Sequence, residues 1–281
     1  GTTTNNILGA EVVFMDGSIS RLGGKTYDSE GYDLLGLITG SEGLLCVITE
    51  VTVKILKKPQ TVKAALIGFS TIEDGGNCVS DIIASGIIPA GMEMMDQLAV
   101  QAAEQFAHAG YPEDAEAILL IELDGTDSEV VTMVVQVERL MLAQHAYHID
   151  VATDPDNQMR LWKWRKSAFP AVGRLSPDYY CMDGTIPRRE LARVLGEISQ
   201  FSSEYGLAVA NVFHAGDGNL HPLILFDANK PGDLEAAEQM GGRILELCVR
   251  VGGTVTGEHG VGIEKLDQMC VQFTEQELTQ F

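Results

Sequence analysis

The order of strands and helices in the second half of the chain limits its possible folds more than any other feature. Six segments alternate between strand and helix patterns: 179–185, 188–205, 207–214, 221–226, 233–251 and 254–256. The first, third, fourth and sixth are patterned as strands, which gives the order β-α-β-β-α-β of a ferredoxin-like unit. A chain of this kind is expected to fold as an α+β domain, with an antiparallel sheet covered by helices.

The first half of the chain predicts a second unit of the same kind and a separate small domain. Strands and helices also alternate between residues 62 and 151, so two units could share one long antiparallel sheet with helices on one face. Earlier, Asp16-Gly17 marks a hairpin turn and residues 47–55 form a β-branched strand. Proline and charge at residues 57–59 end that strand, which predicts a boundary between domains 1–58 and 59–281.

Charge and cysteine content restrict the possible partners and setting. The net charge of -21 over 281 residues argues against nucleic-acid binding and against adhesion to anionic lipid. The five cysteines are scattered and include no Cys-x-x-Cys pair, which favours a reduced, cytoplasmic setting. We recognise neither a secretory signal nor a bilayer-spanning apolar run, so membrane association would require a partner.

Two short motifs predict a metal site. His214-Ala-Gly-Asp-Gly-Asn-Leu-His221 places two imidazoles around a glycine-rich turn at a sheet edge, with Asp217 as a candidate acceptor for one ring. Glu258 and His259 lie between glycines in a later loop and are expected to point in different directions. Two histidines and one glutamate leave a coordination position open, as in catalytic sites. The alternatives are surface histidines near a turn and a loop of solvated polar residues.

Two further segments are candidate anion-binding sites. Arg165 lies among aromatic residues, where a guanidinium can bind a carboxylate in bidentate fashion, although a solvated base at a helix end fits equally well. Gly40, Ser41, Glu42 and Gly43 precede a long strand and can bring backbone amides close to an anionic group. The same four residues also fit an ordinary loop.

These motifs resemble a known family. The run Thr-Gly-Ser-Glu-Gly-Leu-Leu-Cys-Val-Ile-Thr-Glu at 39–50 resembles the end of the FAD-binding domain of flavoproteins of the vanillyl-alcohol-oxidase type. The two metal motifs and Ser-Pro-Asp-Tyr-Tyr-Cys-Met-Asp-Gly-Thr-Ile-Pro at 176–187 are similar to the C-terminal substrate domain of that family. The resemblance implies a second FAD-binding subdomain at 1–58 and a substrate-binding, or cap, domain at 59–281.

The resemblance also implies roles for single residues. His214, His221 and Glu258 match positions that hold a divalent metal in relatives that oxidise D-2-hydroxy acids. Zinc is expected first, with manganese or iron as alternatives. His259 matches the base, and Arg165 matches a residue that binds the substrate carboxylate. The implied FAD contacts are Gly40, Ser41, Glu42, Gly43 and Ile48.

The implied reaction is oxidation of a small 2-hydroxy acid, glycolate or D-lactate, to the 2-oxo acid with hydride transfer to FAD. Leu223 and Cys181 occupy positions where some relatives have a polar residue and a lysine, and both favour a small substrate over a dicarboxylate. Companion redox subunits are implied as well: a second flavin-type subunit and an iron-sulfur subunit, through which the protein could associate with the inner membrane.

The family's first FAD subdomain and its asparagine-containing C-terminal segment are absent from the sequence, so this stretch alone is expected to hold FAD poorly and to be inactive. Two other functions fit parts of the pattern. One is a metal-dependent hydrolase in which the same ligands activate water. The other is a non-catalytic subunit that uses its sheet for assembly.

Overall fold

The computed structural model describes residues 3–26, 31–108 and 110–281, apart from the side chains of Ala107 and Trp164. The chain divides into two compact units, Gly1–Lys58 and Pro59–Phe281. Within the described residues, no helix combines the length and hydropathy needed to cross a bilayer.

The first unit is a small three-stranded antiparallel sheet with one short helix. After a 3-10 turn at Thr3–Asn6, its elements are β1 (Ile7–Val13), β2 (Ile19–Gly23), α1 (Leu34–Ile38) and β3 (Val47–Val53). The strands lie in the order β2-β1-β3. The buried hydrophobic residues among those described are Ala10, Val12, Ile38 and Cys46, whereas β3 exposes all seven of its residues. The core of this unit is therefore confined to one side of β1.

The second unit contains the remaining elements. The strands are β4 (Thr61–Phe69), β5 (Gly91–Asp96), β6 (Ala117–Gly125), β7 (His148–Val151), β8 (Asp178–Cys181), β9 (Val209–His214) and β10 (Asn219–Phe226). The helices are α2 (Ile72–Ala84), α3 (Gln97–Ala107), α4 (Asp127–Ala143), α5 (Pro155–Val172), α6 (Leu191–Tyr205), α7 (Asp233–Arg250), α8 (Leu266–Gln272) and α9 (Glu275–Gln280). A 3-10 turn at Arg188–Glu190 precedes α6.

The seven strands of the second unit form one antiparallel sheet in the order β7-β4-β6-β5-β9-β10-β8. This order consists of two ferredoxin-like units joined through β5 and β9, with Met94 opposite Phe213. The fourth strand of the second ferredoxin-like unit is reduced to an antiparallel bridge between Thr185 and Thr254. The prediction of an α+β fold with one large antiparallel sheet is confirmed.

Helices cover both faces of this sheet, so the expectation of helices on one face is wrong. Helices α2, α4, α6 and α7 pack on one face through a core that includes Val79, Val137 and Ile198. Helices α3 and α5 pack on the other face through a second core that includes Ala99 and Ala168. The reason lies in the central strands: β6 buries five consecutive residues, and a strand that is apolar on both sides needs cover on both.

Candidate active site

The histidine motif forms the hairpin between β9 and β10. His214 pairs with Asn219 and His221 pairs with Val212, which brings the two imidazole rings to a centroid distance of 5.1 Å. Both strands lie inside the sheet, because β9 also pairs with β5 and β10 also pairs with β8. The histidines therefore lie on two interior strands of the seven-stranded sheet, beside the turn that joins them, and not on an edge strand.

The turn of this hairpin depends on Gly218. Its φ of 73° lies in the left-handed region, and an added Cβ would overlap the backbone carbonyl oxygen of Ile186. We expect Gly218→Ala to lower the melting temperature more than Gly206→Ala does. Gly206 has a similar φ of 67° but open space around its Cβ position. The control variant Gly206→Ala therefore has the same backbone strain, about 1–2 kcal/mol, but no overlap between the added Cβ and a neighbouring atom. Equal shifts of the two variants in thermal unfolding would show that the turn can relax.

The loop that carries Glu258 and His259 brings both side chains to the histidine hairpin. Oε1 of Glu258 lies 2.9 Å from Nε2 of His221, 3.5 Å from Nε2 of His214 and 3.9 Å from Nε2 of His259. The ring of His259 stacks on that of His221 at a centroid distance of 5.0 Å. Glu258 and His259 were expected to point in different directions, but they face one common centre. Four of the predicted site residues are therefore neighbours in the fold.

The two hairpin imidazoles are oriented by groups other than Asp217. Nδ1 of His214 lies 2.8 Å from Oε1 of Glu93, and Nδ1 of His221 lies 3.3 Å from the carbonyl oxygen of Met182. The hydrogen bond that His214 donates to Glu93 raises the pKa of His214, whereas burial and the neighbouring His214 lower the pKa of His221. With Nδ1 occupied in both rings, each Nε2 is directed at Glu258. This is the arrangement in which metal-ligating histidines are usually held.

Arg165 is linked to His214 through the carboxylate of Glu93. Its Nε donates to Oε2 of Glu93 at 2.7 Å, and its guanidinium lies 5.9 Å from the centre of the Phe169 ring. Burial raises the pKa of Glu93, but His214 and Arg165 outweigh it and hold that pKa below its ordinary value. Glu93 is consequently ionised, and it connects the predicted carboxylate-binding arginine to a predicted metal ligand. Binding of a substrate carboxylate by Arg165 stays a prediction.

The donor set fits a divalent cation. Two groups of potential ligand atoms lie within 4.8 Å of one another among the described residues: those of Asp183, His221, Glu258 and His259, and those of Cys181, His221 and His259. Burial raises the pKa of the Cys181 thiol to about 12, so this thiol is neutral. Imidazole and carboxylate donors of this kind suit zinc, manganese and iron. The first of these clusters includes His221 and Glu258 of the predicted ligand set but not His214, whose role as a metal ligand stays a prediction.

Sequence reasoning missed two carboxylates of this site. Glu93 lies in an apolar strand segment between two methionines, and Asp183 lies in an irregular segment after β8. Each reaches its partners across a large sequence separation: 121 positions between Glu93 and His214, and 76 between Asp183 and His259. A charged residue inside an otherwise buried strand is the signal that could have identified Glu93.

The predicted FAD contacts lie together in the first unit. Gly40, Ser41, Glu42 and Gly43 form the loop between α1 and β3, in which residues 40, 42 and 43 have φ values of 85°, 55° and 77°. Ile48 lies on β3 and is 41% exposed. The positive φ angles turn the backbone sharply at this loop, in which the N–H groups of Ser41 and Leu44 donate to the carbonyl oxygens of Ile38 and Ser41 at 3.1 and 2.9 Å. The FAD role of these residues stays a prediction.

Comparison with known proteins identifies the family. Residues 58–281 match the model of the C-terminal domain of FAD linked oxidases. The chain belongs to the FAD-linked oxidases. It is 57% identical over 281 residues, all of its length, to glycolate oxidase subunit GlcD of Escherichia coli strain K12. It is 33% identical over 282 aligned positions, 98% of its length, to D-lactate dehydrogenase of Archaeoglobus fulgidus.

The chain covers 56% of the first of these relatives and 60% of the second, so it spans little more than half of their length. A crystal structure of p-cresol methylhydroxylase with substrate bound has a TM-score of 0.66 and 16% sequence identity, over 89% of this chain and 57% of that one. At this identity the likeness concerns the fold alone. The expected membership of the FAD-linked oxidases is confirmed by the family match over residues 58–281.

Proposed function

We propose that the protein is the flavin-dependent part of a 2-hydroxy acid dehydrogenase that oxidises glycolate or D-lactate to the 2-oxo acid. The observation that carries this proposal is the approach of His214, His221 and His259 to one carboxylate oxygen of Glu258, at 3.5, 2.9 and 3.9 Å. Three imidazoles around one carboxylate can hold a metal and also supply a base. The relatives named for glycolate and D-lactate support this substrate class.

His214, His221 and Glu258 would hold the divalent metal, and Gly40, Ser41, Glu42, Gly43 and Ile48 would contact FAD. When bound, the metal would lower the pKa of the substrate hydroxyl as a Lewis acid, and FAD would accept the hydride from Cα. Glu93 and the Met182 carbonyl keep the two hairpin imidazoles turned toward this centre. Burial keeps His221 in the neutral form that binds a metal.

His259 would take the proton of the substrate hydroxyl. Its ring is held by stacking on His221, and its side chain is 44% exposed, so it can return the proton to solvent after turnover. A positioned base of this kind contributes about 10²- to 10⁴-fold to a rate. Arg165 would bind the substrate carboxylate through the guanidinium nitrogens that do not contact Glu93. Proton and hydride together account for the two-electron oxidation of the alcohol.

We propose that companion redox subunits pass the electrons onward, because a similar protein is named as one subunit of glycolate oxidase. A second flavin-type subunit and an iron-sulfur subunit fit this task. Such subunits would also place the protein at the inner membrane on the cytoplasmic side.

Membership of the FAD-linked oxidases argues against the metal-dependent hydrolase as the alternative.

The proposed function is tested with a substrate panel on the full-length holoprotein. Glycolate, D-lactate, L-lactate and a longer D-2-hydroxydicarboxylate are offered with a dye as electron acceptor, before and after removal of metal by a chelator. We expect turnover of glycolate or D-lactate, its loss with the chelator and its recovery when zinc or manganese is returned. Full turnover without metal would contradict the metal role. Absence of turnover with both small acids would contradict the substrate class.

A further inference from the structure

One buried carboxylate holds the loop that carries Glu258 and His259. Asp183 is 0% exposed, and its Oδ2 accepts hydrogen bonds from the backbone N–H groups of Gly257, Glu258 and His259 at 3.0, 3.1 and 2.8 Å. The hydroxyl of Thr256 donates to the same oxygen at 2.7 Å. Three successive amides around one anion form a nest, which fixes the backbone of all three residues at once.

A buried lysine balances the charge of this carboxylate. Nζ of Lys265 lies 3.3 Å from Oδ2 of Asp183, and Lys265 is 3% exposed. Burial raises the pKa of Asp183, but hydrogen bonds from His259 and Thr256 outweigh it and hold that pKa well below its usual range. The carboxylate is therefore ionised. Removing either partner of a buried ion pair leaves the other charge uncompensated.

We infer that Asp183, with Lys265 as its counter-ion, is a positioning residue that sets the placement of Glu258 and His259 for the metal and the substrate. Two of the amides that Asp183 binds belong to Glu258, the proposed metal ligand, and to His259, the proposed base. Oδ1 of Asp183 also lies 4.0 Å from Nδ1 of His221. One carboxylate therefore adjoins three of the side chains at the centre. This inference rests on the proposed function.

The main test is the zinc affinity of Asp183→Asn in the full-length protein, measured by competition with a chromogenic chelator. Asparagine removes the negative charge that faces Lys265, and an amide NH2 donor replaces Oδ1, which accepts from the Glu258 N–H at 3.2 Å. The loop should therefore lose its fixed conformation. We expect zinc affinity to fall about 10- to 100-fold, the usual loss when a group that orients metal ligands is removed. We also expect kcat to fall more than KM rises, because His259 is displaced together with Glu258.

Asp96→Asn is the matched control. Asp96 is also a buried carboxylate, and it accepts hydrogen bonds from the backbone N–H groups of Ala99 and Asn211 at 3.0 and 2.9 Å. It holds the first turn of α3 and Asn211 of β9, and no part of the loop at 256–260. The variant is expected to lose stability while keeping its zinc affinity. Equal loss of zinc affinity in both variants would mean that Asp183 acts only through general stability, which would overturn the inference.

Lys265→Met provides a second variant should Asp183→Asn fail to fold. It keeps the aliphatic stem and removes the counter-charge, and we expect zinc affinity to fall by about 10-fold. Unchanged zinc affinity in either substituted protein, beside normal zinc binding by the unsubstituted one, would overturn the positioning role alone. Failure of the unsubstituted protein to bind zinc, manganese or iron would instead overturn the proposed metal site, and this inference with it.

Discussion

Replacing His259 by alanine is expected to lower kcat of the full-length holoprotein with its hydroxy acid by about 10²- to 10⁴-fold. The physical reason is that no other group would be in place to take the hydroxyl proton, since Glu258 and His221 would be occupied with the metal. The ring of His259 stacks on His221 at 5.0 Å and is 44% exposed, so its removal leaves a site open to water. The measurement is steady-state turnover with a dye acceptor.

Two further readouts separate loss of the base from loss of the site. Bound FAD and bound metal per protein should stay close to those of the unsubstituted enzyme. His145→Ala is the matched control, because that imidazole is 79% exposed and contacts only Asp74, at 3.4 Å, within the described ion pairs. It should leave kcat unchanged. Near-normal turnover of His259→Ala with full FAD and metal would remove the base assignment.

Replacing Glu93 by alanine is expected to affect both stability and the metal site. The side chains of Glu93 and Arg165 are 10% and 12% exposed, and removal of one partner of such a buried pair costs about 3–5 kcal/mol. For a unit of this size, 3 kcal/mol corresponds to a melting temperature lower by about 6–12 °C. His214 would also lose the partner of its Nδ1, so zinc affinity should fall about 10-fold or more.

Thermal unfolding and zinc competition measure the two effects separately. The double variant Glu93→Ala with Arg165→Ala should cost less than the sum of the single variants, because each single change leaves a buried charge unpaired. Arg193→Ala is the matched control, since its pairs with Glu190 and Glu197 lie on an exposed helix surface. Such pairs contribute about 0–1 kcal/mol. Strict additivity of the two substitutions would contradict the linked Arg165–Glu93–His214 arrangement.

Local patterns were sufficient to predict much of the fold. The alternation of strands and helices predicted the large antiparallel sheet. Hydrophobic periodicity and turn residues are local signals that a short window of sequence contains in full. The sequence did not reveal that helices cover both faces. That feature depends on α3 and α5, of which α5 was not recognised as a helix despite Asp154 and Pro155 at its N-terminus. The fourth strand of the second ferredoxin-like unit, expected at 254–256, proved to be a single bridge.

The predicted site residues came from motifs whose members lie close together in the chain. The glycine-rich turn between His214 and His221 and the glycines around Glu258 and His259 identified both halves of the centre. Glu93 and Asp183 could not be found in this way, because their roles depend on partners far away in the sequence. A single carboxylate resembles a surface residue until the fold buries it, even when, like Asp183, it lies within a run of sequence that resembles a family. The supporting contacts of the site were thus visible only in the structure.

The most direct measurement is the rate of flavin reduction in a single anaerobic turnover of the full-length holoprotein. Glycolate or D-lactate is mixed with the enzyme in three states: as purified, stripped of metal, and stripped and then reloaded with zinc or manganese. We expect rapid loss of flavin absorbance in the enzyme as purified and at least about 10²-fold slower flavin reduction in the metal-stripped enzyme. Reloading with zinc or manganese should restore the rapid rate. Equally rapid reduction in the stripped enzyme would contradict a metal clamp formed by His214, His221 and Glu258.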